Sequence, residues 1–127
     1  MGYVAISPFS FLQLFCYVRD DDYKHAFEVK IRMNDSVASL KQCIKEVAGQ
    51  TFRDVDANTL VLWNENIPLD EHLKEAVHKL GLVDKKSLSP ATRMSELFPK
   101  QPEEGLIHIV VKRGEYFRRI VPPYVRN

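Results

Sequence analysis

The sequence predicts an α+β fold in which a mixed sheet packs on one central helix, with an extra helix between the third strand and the last. Three observations carry that prediction. Two early segments alternate apolar and polar residues with the period of a strand, a capped amphipathic helix follows them, and the last regular segment is apolar at nearly every position. At 127 residues the chain suits one domain, with a core that removes roughly two thirds of the unfolded surface from water. Hydrophobic residues at 45% and charged residues at 28% place it in the ordinary globular class, away from disordered and fibrous compositions.

Taken in order, Leu12, Leu14, Cys16 and Val18 alternate with Gln13, Phe15, Tyr17 and Arg19, and Phe27, Val29 and Ile31 alternate with Glu28, Lys30 and Arg32. The charged turn Asp20-Asp21-Asp22 between them makes a hairpin with an acidic tip. Phe15 and Tyr17 point away from the expected core face, so the outer sheet face is expected to be sticky. Asn34-Asp35-Ser36 supplies N-cap oxygens to a helix carrying Val37, Leu40, Ile44 and Val47 on one face, with Gly49 at the expected left-handed C-cap. Leu60 to Trp63 is a dense β-run, Asn64 to Asn66 a polar turn, and Pro68, which has no N–H for a ladder, stops the strand. Asp70 caps a second helix with Leu73, Ala76, Val77 and Leu80 on one face, and Gly81 ends it. Leu82 to Thr92 is a loop, Met94 to Phe98 a short helical turn before Pro99 and Pro102, and Leu106 to Lys112 the last strand, expected to be covered on both faces. A hairpin whose sheet cradles one helix, with the last strand entering beside the first, is the β-grasp arrangement of ubiquitin.

The formal net charge of +1 argues against a dedicated nucleic-acid binder. Lys112, Arg113, Arg118, Arg119 and Arg126 nevertheless crowd the end, and read either as a solvated tail or as a phosphate contact or part of a nuclear address. Cys16 and Cys43 have no metal-ligand spacing, and His72 and His78 do not share a helix face, so no metal and no cofactor is expected. The serines lack His/Asp partners in a nucleophilic arrangement, and the glycines are isolated, which leaves no phosphate cradle. An enzyme is therefore not expected. Met1 to Leu14 is apolar but has no positive n-region and is interrupted by Pro8, so it is read as a leader over residues 1–11 plus the first strand, with no standard signal peptide. No stretch has the length of a membrane span. Trp63 reads either as an exposed recognition anchor or as a strand residue packed under the Asp70 helix. His108 reads as a satisfied strand histidine or as a switch.

Five blocks in order carry a sharper likeness: Leu14-Phe15-Cys16, the helix with Leu40-Lys41 and Ile44, Leu60 to Leu69, Leu88-Ser89-Pro90 with Met94 to Phe98, and Ile107 to Lys112. Together they resemble the N-terminal domain of the Crinkler effectors, itself ubiquitin-like, in its fungal variant. Leu60, Val61, Leu62, Trp63 and Asn64 stand where oomycete members carry a Leu-Phe-Leu-Ala-Lys translocation motif. His108, Ile109, Val110 and Val111 stand at the motif that closes the domain. Asn64 departs from the motif's lysine, and Arg113 falls where the closing motif ends in proline.

The resemblance implies a domain over residues 12–113 followed by a basic, Pro-containing tail or linker over 114–127. It implies a non-enzymatic leading domain of a secreted effector, concerned with delivery to host cells and with protein–protein contact, without specifying the protein partner; self-association stays open from the residues and not from the resemblance. Phe15, Tyr17, Ile67 and Leu69 are the expected partner surface. The alternative from the residues alone is an intracellular ubiquitin-like adaptor or self-association domain with no export role. Covalent conjugation is not expected, because the lone Gly114 is not a terminal Gly-Gly pair.

Overall fold

A computed structural model describes residues 10–114. The proposed leader, apart from its last two residues, and the basic tail after Gly114 lie outside the described residues. Four strands form one mixed sheet in the order β2-β1-β4-β3: β1 is Phe11–Val18, β2 Phe27–Arg32, β3 Val61–Pro68 and β4 Leu106–Lys112. β1 pairs antiparallel with β2 and parallel with β4, and β3 pairs antiparallel with β4. Three α-helices complete the fold: α1 Val37–Val47, α2 Leu73–Leu80 and α3 Met94–Leu97. This is the expected α+β architecture, compatible with a ubiquitin-like β-grasp.

The alternation of β1 and β2 does what period 2 requires. Leu12, Leu14, Cys16, Val29 and Ile31 turn inward onto α1, where Val37, Leu40 and Ile44 meet them. The Ser36 hydroxyl accepts from Ser39 N–H and caps α1. Further α1 donors are met by backbone: Val37 N–H donates to Thr92 O at 2.8 Å and Ala38 N–H to Pro90 O at 3.0 Å. The loop before α3 therefore serves as the lid on the helix N-terminus.

Three local expectations change. Val47 is 54% exposed and does not continue the buried stripe, because α1 ends at that residue. Gly49 does not have the left-handed backbone expected of it; Ala48 closes the helix at φ −98°, and positive φ among the described glycines occurs at Gly81 and Gly105. Asn64 to Asn66 is not a turn but an irregularity inside β3, across which the register with β4 shifts before Ile67 pairs with Ile107 and Pro68 with Leu106. Pro68 does end the strand.

The larger difference lies on the outer sheet face. α2 packs there and makes a second core: Leu73 and Val77 close over Tyr17, Trp63, Ile67, Ile107 and Val110. The sheet is thus sandwiched, with the α1 core on one side and an aromatic core on the other. Gly81, at φ 59° and ψ 46°, ends α2 in the backbone region that costs glycine least.

Candidate functional site

The five residues at the translocation-motif position divide between the two cores. Leu60 and Leu62, 1% and 0% exposed, belong to the α1 core, while Trp63, at 2%, belongs to the α2 core with half-buried Val61 beside it. Asn64 alone is exposed. The two readings left open for Trp63 resolve to the second: its indole N–H donates to Val83 O at 3.0 Å, and Arg19 lies 5.9 Å from the ring centroid. A buried indole with its N–H satisfied is a packing residue.

The expected partner surface is corrected in part. Tyr17 and Ile67 are buried beneath α2, and Phe15 and Leu69 are half-buried at the margin of the same core. The physical reason is that a helix with Leu73 and Val77 on one face must cover something apolar, and the aromatic outer face is what it covers. Tyr17 keeps its hydroxyl bonded to Asp21 O at 2.6 Å, and desolvation together with Asp20, Asp21 and Asp22 pushes the phenol up to about 12. What α2 leaves bare on the outer face is the β1–β2 corner. There Phe11 is 52% exposed, with Lys30 and Arg32 at 6.0 and 5.9 Å from its ring centroid.

The closing-motif residues form the centre of the sheet, with Ile109, Val110 and Val111 fully buried and His108 2% exposed. His108 is a satisfied histidine. Its Nδ1 accepts from Phe15 N–H at 3.0 Å, so Nε2 carries the proton and donates to Glu103 O at 2.7 Å. Because the β1–β4 ladder starts only at Cys16 and Ile109, the imidazole supplies the acceptor that a strand backbone lacks there. Gln101 does the same one step earlier: its Oε1 accepts from Gln13 N–H and its Nε2 donates to Gln13 O, at 2.9 and 2.8 Å. Two side chains thus complete the edge of β1 where β4 falls short. Sequence reasoning missed the Gln101 role, and a polar residue between two prolines offered no periodicity to find it by.

It also missed Phe52 and Val55, buried core residues in the α1–β3 connection, whose loop context hid them. Lys41, 8% exposed on α1, has its ammonium pushed below the ordinary lysine range by desolvation. Cys16 and Cys43 are free thiols, and burial pushes both up; Glu46 and Asp35 add to the effect at Cys43. At the hairpin tip His25 Nδ1 lies 3.0 Å from Asp21 Oδ1.

A concavity of about 420 Å³ lies between the hairpin tip and the start of α2 and is lined by Asp21, Asp22, Tyr23, Glu71, His72, Lys74 and Glu75. Among the described residues no group of three or more His, Cys, Asp or Glu side chains is placed to hold a metal ion. No helix of the described residues is long and apolar enough to cross a membrane.

Comparison with known proteins agrees with this geometry. The family model for the Crinkler effector protein N-terminal domain matches residues 12–112. Crinkler effector protein 1 of Rhizophagus irregularis is 33% identical over 104 residues, which cover 82% of this chain and 22% of that protein. The chain therefore spans about a fifth of the length of the curated relative it matches.

Proposed function

The chain belongs to the Crinkler effector N-terminal domain family, and from that membership we propose that it is the non-enzymatic leading domain of a secreted effector, acting in delivery to host cells and in protein contact. The family match over residues 12–112 carries this reading. The sheet is in keeping with it, since helices cover both of its faces apart from the β1–β2 corner. On this reading residues 12–113 form the delivery domain, and residues 114–127 are a basic, Pro-containing tail or linker.

The burial of Leu60, Leu62 and Trp63 favours a particular mode of action. A transport machinery would read the folded domain, or Asn64 on its surface, and not an extended peptide. The contact face is the bare β1–β2 corner around Phe11 and half-buried Phe15.

The test follows the tagged full protein from the producing organism into host tissue. Signal inside host cells supports the delivery role, and retention in the producing cells overturns it in favour of an intracellular adaptor. Leu62→Asp is expected to abolish delivery together with folding. Asn64→Ala keeps the fold, so a loss of delivery in that variant assigns the surface position a direct role.

A further inference from the structure

The two edges of the sheet are built differently. β3 is blunted in three ways: its register breaks between Asn64 and Ile67, it ends in Pro68, and Leu88 N–H donates to Leu62 O at 2.8 Å across its outer side. These are the devices by which edge strands avoid pairing with other chains. β2 has no proline, no glycine and no bulge; its register with β1 is unbroken from Phe27 to Arg32, and no described strand lies outside it.

The direction of its free groups follows from the ladder. Met33 N–H donates to Ser10 O at 2.9 Å, so Ile31, Val29 and Phe27 turn their backbone groups toward β1. Glu28 and Lys30 then turn theirs outward, and both side chains are exposed on the outer face. Along that face the edge reads Glu28, Lys30, Arg32, one acid followed by two bases.

We infer that β2 pairs antiparallel with β2 of a second copy of this chain, about a twofold axis at Val29. In that register Glu28 stands opposite Lys30 of the second copy, and Lys30 opposite its Glu28. Both are hydrogen-bonded pairs, since those residues carry the outward groups. Val29 meets its own equivalent in the non-bonded position between them. Opposite charges face each other in both pairs, which favours antiparallel edge pairing. The neighbouring bonded register centred on Lys30 also sets Glu28 against Arg32 twice, but it puts lysine against lysine at its centre. It also needs the edge carbonyl of Arg32, which already accepts from Asp35 N–H at 3.1 Å. Charge on an edge strand ordinarily discourages pairing; here its order along β2 selects one partner, an identical strand. The inference deepens the protein-contact reading above but does not depend on export, so delivery can fail while the dimer stands, and the reverse.

Sedimentation equilibrium on the full chain at low salt, over a wide concentration range, tests it. The wild type is expected to form a dimer. Glu28→Lys and Lys30→Glu each set like charges opposite each other twice and are expected to sediment as monomers with unchanged far-UV circular dichroism. The E28K/K30E double variant restores the dimer. So does mixing the two single variants, because each lysine of one then faces a glutamate of the other. A wild type that stays monomeric throughout overturns the inference. So do single variants that still dimerise, or a mixture that does not, since either result moves the contact away from this edge.

Discussion

At the scale of single residues, the polar side chains inside the fold are there to complete the backbone. His108 is the sharpest case, because one buried ring answers both Phe15 N–H and Glu103 O. Replacing it by leucine fills the volume but takes the acceptor from half-buried Phe15 N–H, while the carbonyl of exposed Glu103 can turn to water. His108→Leu is therefore expected to lower unfolding stability in urea by about 1–3 kcal/mol, the cost of one such group left unpaired. His108→Asn, whose side-chain oxygen can still accept from Phe15, should lose less. Equal losses in the two variants would show that the hydrogen bonds contribute nothing beyond volume. The exposed His25–Asp21 pair behaves differently. The hydrogen bond to Asp21 raises His25 above the ordinary imidazole value. Desolvation pushes the Asp21 carboxyl up, but the bonds from His25 and Asp22 N–H outweigh it and hold it below its usual value. A raised histidine contributes stability below its unfolded value and loses it as pH rises through the folded one; a lowered carboxyl contributes above its unfolded value and loses it as pH falls. The hairpin tip is thus tightest at mildly acidic pH, between the two titrations. NMR titration should place His25 above a free imidazole and return it to the ordinary value in Asp21→Asn.

At the scale of elements, α2 is the informative one. Its sequence announces an amphipathic helix with a glycine stop, and those features appear as expected at Leu73, Val77 and Gly81. Val77→Asp drives a charge into the aromatic core and is expected to detach α2. Trp63, the single tryptophan of the chain, reports the event: its emission should be blue-shifted and shielded from acrylamide in the wild type, then red-shifted and quenchable in the variant. Unchanged emission would mean that α2 does not cover the indole. The same element marks what the sequence could and could not convey. Hairpin, capped α1, closing strand and α3 were legible because each follows from local periodicity and end signals. The covering of the outer face was legible only in part: one of the two readings of Trp63 set it under this helix and the last strand was expected to be covered on both faces, but an apolar helix face says that it must be buried and not how much of the sheet it covers. Asn64-Glu65-Asn66 misled for a related reason: a polar triplet has turn composition, and only pairing with β4 makes it a break in register. Phe52 was unreadable because a single apolar residue in a loop has no period, and Tyr17 and Ile67 looked like a docking face only so long as α2 had no place.

At the scale of the whole molecule, both cores share one sheet, and this decides how the domain comes apart. Ile109 and Val111 belong to the α1 core and Ile107 and Val110 to the α2 core, all from β4. β1 likewise gives Leu12, Leu14 and Cys16 to one side and Tyr17 to the other. A strand cannot leave one core and remain in the other, so the α2 side can open alone only by lifting the helix, and loss of the sheet ends both. Under increasing urea, the far-UV signal of the sheet and α1 should fall in one transition, with a single midpoint for the two probes that coincide in a two-state domain. Those probes are far-UV circular dichroism and the reactivity of Cys16, whose thiol is buried at the centre of the α1 core. Trp63 emission should share that midpoint in the wild type and precede it in Val77→Asp, where the helix has already gone. A wild-type emission change well before the loss of circular dichroism would show that the aromatic core is a separate unit laid on the sheet. In that case the surface beneath α2, with Tyr17 and Ile67, becomes available to partners after all.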